Sequence, residues 1–206
     1  MLEQITAFQP GARGLDLGCG RGWYMREMER AGTRPVGLDL SALQLVAARE
    51  YLGREAPLLR GSVFGVPVRS GTFDFAYIIN ALHHLPSPRH QEVALEEIGR
   101  VVRPGGFVFV HEMNVRNLMF RFYLSYIFPI LKGIEEGTEH YMNPRCLPPI
   151  AGLRLVAVHY FTFLPDFVSP GALSALAPIE RWLEKSPMGP YAAHFLAVFE
   201  RLGHKA

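Results

Sequence analysis

The sequence predicts an α/β fold, a parallel sheet assembled from βαβ units, on three observations. Between Arg13 and Glu112, short apolar runs alternate with helical patterns, as successive βαβ units require. A glycine-rich stretch, Gly18 to Gly22, falls where the first apolar run hands over to the first helical pattern. The chain has 206 residues, 49% hydrophobic and 19% charged, with 14 Phe. That length and apolar content suit one domain with a sizeable core and exclude intrinsic disorder.

The elements come in order along the chain. Gly14-Leu15-Asp16-Leu17 reads as the first strand. A helix then runs from near Arg21 to Ala31, with Met25 and Met28 inward and Gly32 as its stop. Pro35 to Asp39 is a second strand. Ser41 caps a helix whose Leu43, Val46, Ala47 and Tyr51 share one face. Leu58 to Gly61 is a short third strand. Phe73 to Ile79 (FDFAYII) is a nearly continuous apolar run, as expected of a strand buried on both faces. Ser87-Pro88 starts the next helix, serine as N-cap and proline at the first helical position. Ala94, Ile98, Val101 and Val102 of that helix turn to the core. Arg103-Pro104-Gly105-Gly106 ends it, and Phe107 to Val110 is a fifth strand.

Beyond Glu112 the pattern changes. Residues 118–131 (LMFRFYLSYIFPIL) are apolar almost throughout. As a helix they span about 21 Å, too short for a bilayer core of about 30 Å, and Arg121 and Pro129 interrupt them. Residues 133–149 form a polar, proline-bearing loop. Residues 153–163 and 191–199 read as two further strands around a helix near 172–184. One domain, 1–206, thus divides into a half at 13–112, an apolar helix and loop at 113–150, and terminal strands with a helix at 151–206.

Composition narrows the partners. Lys plus Arg is 21 against 19 acidic residues, a formal net charge of +2, and with no long basic run nucleic acid is excluded as a first partner. Cys19 and Cys146 are too few for a disulfide framework, and no Cys/His zinc spacing occurs. The N-terminus has neither the basic start nor the apolar run of a signal peptide, so a cytoplasmic protein is expected.

The informative stretch is Leu15-Asp16-Leu17-Gly18-Cys19-Gly20-Arg21-Gly22. Glycine at such a strand-to-helix turn lets the backbone approach a ligand that any Cβ would repel. A dinucleotide wants G-x-G-x-x-G, and Trp23 stands where its last glycine belongs. An acidic residue precedes the glycines instead; that carboxylate disfavours a pyrophosphate and welcomes a cationic amino-acid headgroup.

The spacing D-x-G-x-G-x-G resembles the first motif of the class I S-adenosylmethionine-dependent methyltransferases. The resemblance continues in order with Asp39, then Phe73-Asp74-Phe75 running to Asn80-Ala81-Leu82-His83-His84-Leu85, then Arg100 to Gly106, covering roughly residues 14–112. It implies a Rossmann-like doubly wound seven-stranded sheet, mostly parallel with an antiparallel last strand and helices on both faces. It also implies S-adenosylmethionine as cofactor, S-adenosylhomocysteine as product and no metal. The cofactor residues so implied are Asp16, Gly18, Cys19, Gly20 and Gly22 in the loop, Asp39 for the ribose hydroxyls with Leu40 beside it, Ser62 and Val63 for the adenine, and Asn80. The chain departs from the family where many relatives carry a Gly-Asp pair, since it has Gly61-Ser62-Val63, and in a first strand near residue 14 that leaves about one helix before it. The apolar segment and the loop after it are the substitutes that would exclude water.

The resemblance implies that His83 faces the acceptor as a polar or proton-accepting group while His84 packs under the loop. The alternative is that both only bond the backbone of the turn. His111 and Glu112 end the fifth strand at the cleft edge, where they contact substrate or cap the next helix. His140 and Tyr141 sit in a loop that closes the site or lies in solvent. Phe120 and Tyr123 belong to the apolar segment, which is a core helix, a wall for a lipid-like or aromatic acceptor, or a homodimer or membrane-surface contact. Three functions are compatible with these residues. The first is methyl transfer to a small or medium-sized hydrophobic acceptor, such as a quinone precursor, lipid or polyketide-like molecule. The second is non-catalytic binding of the cofactor or its product by a sensor or assembly partner, and the third a nicotinamide-dependent oxidoreductase, which Trp23 disfavours.

Overall fold

The computed structural model of the chain describes residues 9–127, 139–163 and 170–203. Strand β1 (Arg13–Leu17), helix α1 (Trp23–Arg30), β2 (Arg34–Asp39), α2 (Ala42–Leu52) and β3 (Leu58–Arg60) come first. They are followed by β4 (Phe73–Ile79), α3 (Pro88–Val101), β5 (Val102–Met113), α4 (Leu118–Phe122), β6 (Leu153–Phe161), α5 (Pro170–Lys185) and β7 (His194–Arg201). Seven strands form one sheet in the order β3-β2-β1-β4-β5-β7-β6. β1 to β5 are mutually parallel, while β7 is antiparallel to β5 and β6. This is the Rossmann-like architecture expected. The chain winds outward from β1 to β3 and then from β4 the other way, so the strand order reverses between β1 and β4. Ligands of open α/β sheets bind outside the carboxyl ends at such a reversal.

Two apolar layers hold the sheet. Ala94, Leu95, Ile98 and Val101 of α3 pack on Leu15, Leu17, Ile78, Val108 and Val110 from one side, each large side chain contributing about 1.5–3 kcal/mol of burial. Phe75, Tyr77, Phe109 and Val198 form a smaller cluster on the other side, with Met28 of α1 against it. Ser41 and Ser87 cap their helices as expected, their hydroxyls accepting from Gln44 N and His90 N. Asp74 accepts from Arg13 N at 2.8 Å and Arg103 Nε at 2.7 Å. Burial pushes its pKa up, but these hydrogen bonds outweigh that and hold it below the usual range. Its role is to staple the amino ends of β1 and β4, away from the carboxyl edge.

Several expectations are corrected. α2 buries Leu45 and Ala48, whereas Leu43, Val46 and Tyr51 are 83%, 55% and 45% exposed; the helix is apolar on nearly all sides, so its periodicity does not select a face. Arg103 to Gly106 belong to β5, with a register shift against β4 between Phe73 and Phe75. The last strand starts at His194 because Gly189–Tyr191 form a 3-10 turn. The apolar segment is a five-residue α-helix that continues as a π-helical turn, Tyr123–Ile127; its residues 128–131 lie outside the described residues, as do 133–138 of the polar loop. Leu118, Met119, Phe122 and Tyr126 are exposed, so the described part of the segment is not a core helix. No helix among the described residues is long and apolar enough to cross a membrane.

Candidate functional site

Gly18, Gly20 and Gly22 all adopt positive φ, +68°, +49° and +81°, a region costly for residues with a Cβ. Gly18 and Cys19 donate their amides to Leu38 O, which ties the loop to the end of β2. Gly20 N donates to Asp39 Oδ2 at 2.9 Å, and Asp39 Oδ1 accepts from Ser41 N at 2.8 Å. The Asp39 carboxylate is thereby fixed at the carboxyl edge, each oxygen keeping lone-pair capacity for a further donor. A Cβ at Gly20 would meet nothing within 4 Å; the glycine faces open space.

That space is a cavity of about 320 Å3 whose lining includes Asp16, Gly18, Cys19, Gly20, Trp23 and Gln44. Asp16 is 2% exposed, and its Oδ2 has no hydrogen-bond partner. Burial raises its pKa to about 8; the Tyr77 hydroxyl beside it lowers it and the Asp39 charge raises it further. The Tyr77 oxygen is itself buried without a partner of good geometry. Burial, followed by the charges of Asp16 and Asp39, pushes the Cys19 thiol up to about 12, so it is no thiolate nucleophile. At the end of β4, Asn80 takes φ +48°, donates its amide to His111 O and leaves Oδ1 buried and unpartnered. Ser62 lies two residues past β3, its hydroxyl accepting from Phe64 N at 3.2 Å, with Val63 packed against the core. Leu40, just after β2, is 69% exposed. Open space at Gly20, an anchored Asp39 and a buried Asp16 with one unpartnered oxygen fit a ligand carrying hydroxyls and a cation.

The histidines are arranged otherwise than expected. His83 is 2% exposed, its Nδ1 2.6 Å from Glu112 Oε2, whereas His84 is exposed; burial and exposure are the reverse of the expected order. Glu112 Oε1 accepts from the amides of Ala81 and Leu82 at 3.0 and 2.8 Å. His83 O accepts from His140 N at 2.8 Å, and Gln91 Nε2 donates to Leu82 O and His140 O. The His83 ring stacks on Tyr141, centroids 5.1 Å apart, and Tyr141 meets Phe120 edge-on at 5.2 Å, which stacks on Tyr123. The structure therefore gathers His83, His140, Tyr141, Phe120 and Tyr123 into one cluster behind the turn after β4. Glu112 is buried there and does not line the cleft edge; the loop carrying His140 and Tyr141 is bonded to the fold. His111 lies apart, its Nε2 3.2 Å from His194 Nδ1, and burial, with His194 adding, lowers its pKa to about 4.

Sequence reasoning missed Tyr77 and Gln91. A lone hydroxyl in the apolar run 73–79 was the available signal for Tyr77, which pairs laterally with Asp16. Gln91 carried no signal beyond being polar. Among the described residues no group of three or more His, Cys, Asp or Glu is placed to hold a metal.

A family described as "Methyltransferase domain" matches residues 15–110. The demethylmenaquinone methyltransferase of Bacillus cereus is 31% identical over 186 residues, covering 78% of this chain and 77% of that protein. The sterol 24-C-methyltransferase of Schizosaccharomyces pombe is 36% identical over 117 residues, 54% of this chain, and the chain spans only 30% of its length. Among solved structures, a putative sarcosine dimethylglycine methyltransferase from Galdieria sulphuraria superimposes with a TM-score of 0.66 at 20% identity, over 98% of this chain and 82% of that one. The chain belongs to the class I S-adenosylmethionine-dependent methyltransferase family.

Proposed function

We propose that this protein transfers a methyl group from S-adenosylmethionine to a small or medium-sized hydrophobic acceptor of the quinone-precursor, lipid or polyketide-like kind. The observation that carries the reading is the cavity at the glycine loop, where a buried carboxylate with one unpartnered oxygen sits beside a second one anchored by Gly20 N. When bound, the cofactor supplies a methyl group already activated by its sulfonium. The chain's own residues then hold and align. Asp39 accepts from the ribose hydroxyls, with Leu40 beside it; Asp16 faces the ammonium; Ser62 and Val63 serve the adenine. Gly18, Cys19, Gly20 and Gly22 bring the backbone close, and Asn80 offers its unpartnered oxygen at the carboxyl edge. Well-oriented partners gain about 7–11 kcal/mol from positioning alone. His83, buried against Glu112, takes a positioning role here in place of the base role its sequence position implied. With His140, Tyr141, Phe120 and Tyr123 it fixes the turn that carries Asn80, and His84 is left at the surface. The apolar acceptors named for the relatives, a sterol and demethylmenaquinone, support a hydrophobic acceptor here.

The test is transfer of labelled methyl from S-adenosylmethionine to a panel of phenols, hydroquinones and prenylated lipids. Label appearing in an apolar acceptor, and lost with Asp39→Ala, is the expected result. Tight cofactor binding with no label in any acceptor would overturn catalysis and favour a cofactor-binding sensor.

A further inference from the structure

A second cavity, of about 200 Å3, lies on the α1 side of the sheet. Its walls include Tyr24 of α1, Tyr77 and Ile79 of β4, His111 of β5, Phe161 of β6 and Leu196 of β7. Tyr24 and Ile79 also line the glycine-loop cavity, so the two spaces meet at these side chains near the carboxyl end of β4. The walls are apolar apart from two tyrosine hydroxyls and the His111 imidazole. His111 is held in place: its Nε2 pairs with His194 Nδ1, and the Phe161 ring lies 5.0 Å from the His111 ring and 5.9 Å from that of His194. We propose that this cavity binds the ring of a hydroxylated aromatic acceptor, with His111 as the hydrogen-bond partner of its hydroxyl. The proposal rests on the neighbouring cavity being the cofactor site, and it narrows the acceptor.

Three features argue for it. The polar groups are few among apolar walls, and the His111 imidazole is fixed by His194, the pattern of a site that orients a polar atom of an apolar ligand. Burial, with His194 beside it, lowers the His111 pKa to about 4, so at neutral pH it meets a phenol as an uncharged imidazole. Ligand pockets commonly run about 300–1,000 Å3, and the smaller volume here takes a bicyclic ring or a short prenyl segment but not a whole sterol.

The probe is 2-naphthol, titrated into the full chain with and without S-adenosylhomocysteine, with naphthalene as the control lacking the hydroxyl. Saturable binding of one equivalent is expected, weaker for naphthalene by about five- to tenfold. Leu196→Trp, which fills the cavity from β7, should weaken 2-naphthol about tenfold and leave S-adenosylhomocysteine affinity unchanged. His111→Phe keeps the ring but removes the nitrogens, and it should abolish the preference for naphthol over naphthalene. The proposal is overturned if protein that binds S-adenosylhomocysteine shows no saturable naphthol binding, or if neither substitution changes it. Naphthol displaced by S-adenosylhomocysteine would also overturn it, by placing both in one cavity. Should naphthol respond to both substitutions while S-adenosylhomocysteine fails to bind, the cofactor reading falls and the acceptor role with it.

Discussion

Asp16 sits 2% exposed on β1 with one oxygen unpartnered, and burial holds its pKa near 8. An unfolded aspartate titrates near ~3.9. Between about pH 4 and pH 8 the folded chain therefore keeps a proton that the unfolded chain has lost, and stability falls as pH rises through that window. Asp16→Asn removes this penalty. Thermal melts should show Tm raised on the order of 5 °C at pH 8 and by clearly less at pH 5; an equal gain at both would contradict the assignment. The same residue predicts a proton coupled to binding. A ligand ammonium beside Asp16 favours the carboxylate, so S-adenosylhomocysteine should release a proton below pH 8 and bind more tightly as pH rises toward that value. Calorimetry at pH 7 in buffers of different protonation enthalpy would register it, and heats independent of the buffer would count against it. Burial of Asp16 thus costs the fold stability at neutral pH, a cost that a cation beside its carboxylate would offset.

At the scale of elements, the turn after β4 depends on β5. Glu112 satisfies two backbone amides and the His83 ring from a position that is 1% exposed. Glu112→Ala would strand these donors, and urea unfolding should report a loss of about 2–4 kcal/mol. A loss below about 0.5 kcal/mol, the level of ordinary surface changes, would mean that the network does not hold the turn. The pairing could not be read from sequence because its partners lie 29 positions apart and only the β4–β5 register brings them together. The face of α2 was illegible for another reason, an apolar surround that gives the 3.6-residue period no contrast. Leu45→Ala should cost about 2–3 kcal/mol, whereas Leu43→Gln should stay within about 0.5 kcal/mol. Reversal of these two in a denaturation experiment would return Leu43 to the core.

For the molecule as a whole, the sheet order decides where chemistry can occur. β1, β2, β4, α3 and their caps were legible because apolar runs, Ser41, Ser87-Pro88 and the glycine stretch each name a local structure. The glycine-loop cavity lies against residues the same stretch singles out, all within a few positions of a strand end. The apolar cavity was not legible, being lined by one or two residues from each of four strands and from α1, whose neighbourhood exists only once β7 inserts between β5 and β6. The central claim is that the carboxyl edge at the β1–β4 reversal is shaped for a sulfur nucleoside bearing a positive charge. Calorimetric titration of S-adenosylhomocysteine into the native chain and into Asp39→Ala tests it most directly, with NADH as the comparison ligand. One equivalent should bind the native chain, Asp39→Ala should weaken it by about 1.5–3 kcal/mol, and NADH should give no binding heat. A folded protein indifferent to S-adenosylhomocysteine, or an affinity untouched by the loss of Asp39, would contradict the account.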